Sequence, residues 1–154
     1  MPESTSLHQG YFSNSLTYVY KSEIGQRTKY AALTGTTVMS TANSNLTGSG
    51  TLYTVLTAGA TNGTRIKTIT IKGATTLTRG MVRLYIVDTA GNPNTDIVAE
   101  IEIPAVSQNG IQGSFAISLE VDFFLEYNYT LKASIENGSE DTVVIAEGVD
   151  MSYP

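Results

Sequence analysis

Four carboxylates come closest to chemistry by type and spacing. Glu100 with Glu102, and Glu120 with Asp122, stand at i and i+2, and on an extended strand that spacing turns both side chains to one face. Carboxyl groups roughly 5–9 Å apart are what a glycosidase uses as acid and as nucleophile or base. Here they alternate with Ile101, Ile103, Leu119 and Val121, and regular alternation of acid and aliphatic marks a strand with one wet side. The solvent-face reading is the one adopted.

Other chemistry is scarce. His8 is the single histidine and there is no cysteine, which excludes a His-paired triad within one chain, thiol catalysis, disulfides and Cys-based zinc sites. No GxGxxG, P-loop, GxSxG or HExxH pattern occurs, and Gly48-Ser49-Gly50 reads as a loop. Glu140 and Asp141 lack the dense oxygen spacing of a calcium loop. The sequons at Asn45, Asn62, Asn128 and Asn137 read as ordinary residues of turns and strands. Tyr53, Tyr85 and Tyr153 are the aromatic candidates for a sugar-binding surface, which the absence of Trp weakens. The sequence thus names no catalytic, cofactor-binding or metal-binding residue and no cofactor.

The elements that would carry these residues follow from composition and period. A chain of 154 residues that is 41% hydrophobic has the length and the apolar material for one domain. Nine basic residues against fourteen acidic ones give a net charge of -5, so nucleic-acid binding by counterion release is not expected. Charged residues make up 15%, low for a soluble domain, with Thr, Ser, Asn and Gly supplying the polarity of a β surface. Glu3 lies close to Met1, and no apolar run approaches the ~18 residues of a membrane span; neither a signal peptide nor a membrane segment is expected.

Eight β-rich runs are predicted, at 36–41, 51–57, 65–71, 81–88, 97–103, 114–122, 127–135 and 142–149. Ile97, Ala99, Ile101 and Ile103 share one face; Phe115, Ile117, Leu119, Val121 and Phe123 share another; Tyr127, Tyr129, Leu131, Ala133 and Ile135 a third. The run from Met81 to Val87 is apolar on one face and partly apolar on the other, as in a central strand or one covered by a subunit neighbour. Asn-Gly pairs at Asn62-Gly63, Asn109-Gly110 and Asn137-Gly138, with Gly91-Asn92-Pro93-Asn94, supply turns that tolerate positive φ. No run has helical periodicity. The expected core is Leu52, Val55, Ile66, Ile71, Val82, Leu84, Ile86, Ile97, Ile101, Ile103, Phe115, Ile117, Leu119, Leu131, Ile135 and Ile145.

Residues 1–35 differ from the rest. They hold His8, the clustered bases Lys21, Arg27 and Lys29, and the apolar set Tyr11, Phe12, Leu16, Tyr18, Tyr20 and Tyr30. Read as an arm, this set is the candidate partner-binding site, since aromatic side chains give contact area at little entropic cost. Read structurally, it is a leader or one extra edge strand around 16–20. The domain division expected is therefore an arm at 1–35 and a sandwich domain at 36–154.

The stretches Ala42-Asn43-Ser44-Asn45, Gly48-Ser49-Gly50-Thr51, Tyr53 to Gly59 and Asn62 to Ile66 resemble a recurring segment of tailed-bacteriophage virion proteins, as do Gly80 to Ile86, Tyr129 to Ser134 and Ile145 to Gly148. Together they are similar to small β-sandwich proteins of phage heads, of the decoration, cement or auxiliary-capsid kind. The resemblance implies an all-β protein, an antiparallel eight-stranded β-sandwich of jelly-roll type with an extended N-terminal arm. It implies no enzymatic activity, a homotrimer on the outer surface of the virion capsid assembled in the bacterial cytoplasm, the major capsid protein as partner, and a head-fibre protein as a further one. Neither nucleic acid nor membrane is an expected partner. The alternative is a carbohydrate- or host-surface-binding module of a head fibre or tail appendage.

Overall fold

The computed structural model describes residues 29–89, 95–107, 115–138 and 141–152. Eight strands run in chain order: β1 (Lys29–Met39), β2 (Tyr53–Thr57), β3 (Thr64–Gly73), β4 (Gly80–Asp88), β5 (Thr95–Ile103), β6 (Phe115–Leu125), β7 (Tyr129–Ile135) and β8 (Thr142–Ser152). Each predicted run is a strand, and the described residues contain no helix. The molecule is an all-β sandwich of two four-stranded sheets, ordered β1-β8-β3-β6 and β2-β7-β4-β5, and every ladder between these strands is antiparallel. The pairs nest: β1 lies beside β8, β2 beside β7, β3 beside β6 and β4 beside β5, alternating between the sheets.

Two bulges place side chains that a strict period of two would misplace. Ile66 and Ile71 are five residues apart, an odd interval that would put them on opposite faces, yet both are fully buried together with Ile69. The register shifts between Ile66 and Thr68 against both neighbours; against β8 the extra residue lies on β3, and it restores the inward phase. On β5 the opposite happens. A shift between Leu84 and Tyr85 sets Ile97 across from Tyr85, and residues directly opposite share a face. Ile97 is consequently 44% exposed rather than core.

The core between the sheets comprises Val55, Leu56, Ile66, Ile69, Ile71, Val82, Leu84, Ile103, Leu125, Leu131, Ala133, Ile135, Val144 and Ala146, with Met39 and Ala58. Burying a large aliphatic side chain contributes about 1.5–3 kcal/mol, so these residues hold the sheets together. Ile145 does not belong to the core: in the run Val143-Val144-Ile145, Val144 faces inward and Ile145 is half-buried on the outer side. Leu52, Ile86, Ile101, Phe115, Ile117 and Leu119 are likewise half-buried. Tyr127 sits outside β7, 54% exposed; Asn128 adopts φ 69° and the Tyr129 amide donates to the Glu126 carbonyl at 3.1 Å, so the chain turns there.

Of the Asn-Gly turns, Gly63 has φ 77° as expected. Gly138 does not occupy the left-handed region; it is required because a Cβ there would lie 1.8 Å from the Ala42 amide nitrogen. The turns at Asn109-Gly110 and at 91–94 lie outside the described residues.

Candidate functional site

The two carboxylate pairs stand on different sheets, on outer faces, and cations engage Glu100, Glu102 and Asp122. On β5, Arg83 Nε donates to Glu100 Oε1 at 2.8 Å and Arg79 Nε donates to Glu102 Oε1. On β6, Asp122 accepts Arg65 Nε and Nη2, each at 2.6 Å, and Lys67 Nζ at 3.0 Å. The Arg65 bonds foremost, then those of Lys67, hold the Asp122 carboxyl well below the usual carboxylate range. Glu120 faces outward across from Thr68. Glu102 lines a cavity of ≈ 310 Å³ with Arg79, Gly80, Met81 and Glu136, its carboxylate engaged by Arg79. Asp141 is exposed, and no group of three His, Cys, Asp or Glu among the described residues could hold a metal ion. Glu140 lies outside them.

The aromatic candidates divide. Tyr85 is fully buried, so it cannot present a ring to a sugar. It stands on the outer face of the β2-β7-β4-β5 sheet, beneath the 42–51 loop, and its hydroxyl donates to the Asn45 carbonyl at 3.1 Å. Asn43 clamps that loop. Its Nδ2 donates to the Ser49 and Thr51 carbonyls at 2.9 Å each, its Oδ1 accepts the Asn45 amide at 3.0 Å, and its own amide donates to the Ile135 carbonyl at 2.7 Å. The strand expected at 81–87 to be central or covered by a subunit neighbour is central in its sheet, and over Tyr85 the cover is its own chain. Tyr53 is half-buried. Its hydroxyl accepts the Thr41 amide at 2.9 Å and the Ser40 amide at 3.3 Å, and these bonds, Thr41 first, stabilise the phenolate and lower its pKa to about 8. Tyr153 lies outside the described residues. Among the described residues the exposed aromatics are Phe124, at 48%, and Tyr127, neither of which is among the sugar-binding candidates read from the sequence.

Of the expected partner-binding set, Tyr30 lies in β1, paired with Met151; Tyr11, Phe12, Leu16, Tyr18 and Tyr20 lie outside the described residues. The expected arm boundary after Gly35 falls inside β1, which begins at Lys29.

What the structure leaves open is surface. The outer face of the β1-β8-β3-β6 sheet has no loop over it among the described residues. Its cross-strand rows read Val38, Val143, Lys72, Ala116; then Thr36, Ile145, Thr70, Ser118; then Thr34, Glu147, Thr68, Glu120; then Ala32, Val149, Arg65, Phe124. Val38 is 49% exposed, and Val143, Ile145 and Val149 are half-buried. The face mixes aliphatic and hydroxyl side chains with charged ones, Lys72, Glu147, Glu120 and the Arg65–Asp122–Lys67 cluster.

No family model matches the chain, and no curated protein matches it. Among solved structures, it is similar to the N-terminal CBM22-1 and GH10 modules of the endo-1,4-beta-D-xylanase 10B of Clostridium thermocellum, complexed with xylohexaose. Identity is 13% and the TM-score 0.38, over 79% of this chain and 26% of that one. This chain therefore spans well under half of that protein, and a likeness at this level carries neither ligand nor activity to it.

Proposed function

We propose that the protein is a non-enzymatic structural component of a tailed-phage virion that binds the capsid exterior and bridges major capsid subunits as a homotrimer. The observation that carries the reading is the uncovered outer face of the β1-β8-β3-β6 sheet. The outer face of one sheet carries the 42–51 loop over Tyr85, whereas the other offers Val38, Val143, Ile145 and Val149 among threonines and charged side chains. Such a face suits docking onto a neighbouring protein and offers nothing for catalysis. The nested strand order 1/8, 2/7, 3/6, 4/5 supports the jelly-roll reading that the resemblance implies. Repetition on a symmetric shell would turn individually weak contacts into firm attachment.

The test is co-sedimentation of the full chain with shells of the phage that encodes it, beside Ile145→Glu, which sets a charge in the middle of the face. Binding that is lost in Ile145→Glu, with folding unchanged by circular dichroism, supports the reading. A full chain that ignores shells overturns it. The second reading, a carbohydrate- or host-surface-binding module, draws on exposed Phe124 and Tyr127; glycan binding abolished by Phe124→Ala or Tyr127→Ala would favour it.

A further inference from the structure

The end of the sandwich where β6 turns into β7 holds a cavity of ≈ 240 Å³ lined by Ile86, Phe124, Leu125, Glu126 and Tyr129. Ile86 on β4 and Tyr129 on β7 pack against the core, Leu125 is fully buried, and Phe124 is the exposed ring at the end of β6. That ring lies over Gly63, whose missing side chain makes room for it: a Cβ there would stand 2.7 Å from Phe124 Cζ. The turn joins the two walls through backbone, the Tyr129 amide donating to the Glu126 carbonyl at 3.1 Å. Glu126 is thereby held beside both rings.

The surroundings are acidic. Asp88 lies directly opposite Tyr129 in the ladder of β4 with β7, and Asp96 directly opposite Ile86 in that of β4 with β5, and opposite residues share a face. Two carboxylates therefore stand on the same face as the Ile86 and Tyr129 that line the cavity, and Glu126 supplies a third in its wall. Their field reaches the phenol: the charge of Asp88 first, then burial, then the charges of Glu126 and Asp96 raise the Tyr129 pKa. Among the described residues lining the cavity none is basic. Arg65, across from Phe124, is held by Asp122 on the outer face, and Lys132 stands opposite Tyr85, on the outer face of the other sheet.

We propose that this cavity receives one basic side chain, a lysine or an arginine, of a partner protein. A cation at the face of an aromatic ring is attracted by the ring's quadrupole, and a carboxylate in the same wall adds a charge-assisted hydrogen bond. The alkyl stem of either side chain packs on Ile86 and Leu125 while its charged head meets Glu126. Size argues for a side chain rather than a free small molecule, because small-molecule sites enclose roughly 300–1,000 Å³ and this cavity is smaller. The rim argues the same way: Phe124 and Tyr127 stand exposed at the end of β6 and on the turn after it, and these residue types are enriched in protein interfaces. The inference holds whether or not the partner is a capsid subunit.

The probes are the capped tripeptides acetyl-Gly-Lys-Gly-amide and acetyl-Gly-Arg-Gly-amide, titrated into the full chain. The ring resonances of Phe124 and Tyr129 are followed by NMR, with Phe124→Leu and Tyr129→Phe giving the assignments. A third peptide with norleucine in place of lysine has the same stem without the ammonium. Saturable shifts at both rings, with a dissociation constant in the millimolar range, are expected for at least one basic peptide, and the norleucine peptide should bind at least about tenfold more weakly. Glu126→Gln, which keeps the backbone bond of the turn, should weaken the basic peptide about five- to tenfold. Equal binding of the norleucine peptide overturns the choice of a cation, and undiminished binding to Glu126→Gln overturns the role of its carboxylate. Shifts with n-butylammonium chloride but with neither basic peptide would mark a site for a free amine and overturn the assignment to a protein side chain. No shift with any probe overturns the site.

Discussion

Removing Glu100 should damage this protein more than removing its partner Arg83. Arg83 is 6% exposed, its Nε bonds Glu100 at 2.8 Å, and its buried Nη1 has no hydrogen-bond partner. The Glu100 side chain is 45% exposed. Stranding a fully buried charge costs about 3–5 kcal/mol, and an exposed pair is worth under about 1. Glu100→Ala, which strands Arg83 beside water, is expected at about 2–3 kcal/mol, or roughly 4–12 °C in Tm. Arg83→Met removes both the buried charge and the orphaned Nη1, keeps the apolar stem, and leaves Glu100 free to hydrate; it should stay within about 1 kcal/mol of the parent. The Glu100→Ala/Arg83→Met double variant should then match Arg83→Met alone. Urea denaturation followed by far-ultraviolet circular dichroism gives all three values. If Arg83→Met proves as costly as Glu100→Ala, the guanidinium is stabilising in its own right and the reasoning fails.

Three further outcomes follow from specific contacts. Asn43→Ala removes three side-chain hydrogen bonds from the loop over Tyr85 and should cost about 3 kcal/mol at roughly 1 kcal/mol each; chemical denaturation measures it, and an effect within error would mean the loop is held otherwise. Deleting residues 1–35 removes most of β1 and should unfold the sandwich, whereas deletion of residues 1–28 should keep its β circular dichroism; equal spectra would contradict the placement of β1. Tyr53 should titrate near pH 8 in phenolate absorbance, with that step absent in Tyr53→Phe. Because the folded pKa lies below the ordinary value, the phenolate's contribution to stability is complete above the unfolded pKa of about 10 and is lost as pH falls through about 8; the parent's Tm should therefore rise relative to Tyr53→Phe between those values.

The strands were legible because their signal is local. Period-two alternation and Asn-Gly punctuation need only neighbours in sequence, and the runs at 97–103, 114–122 and 127–135 carry the alternation. Phase was harder wherever apolar residues run together. In Val143-Val144-Ile145 any residue could face the core by hydrophobicity alone, and only the ladder with β3, which sets Val144 across from Ile71, decides it. Bulges are equally invisible, since the residue that shifts Ile97 outward is an ordinary member of an apolar run. The fate of Tyr85 was illegible for another reason. Nothing near Tyr85 in sequence says that residues some forty positions earlier will form a roof over it, and that roof rests on the side chain of one buried asparagine. The carboxylates were read correctly as a solvent face, but not their cations, because Arg83, Arg79 and Arg65 reach them across strands.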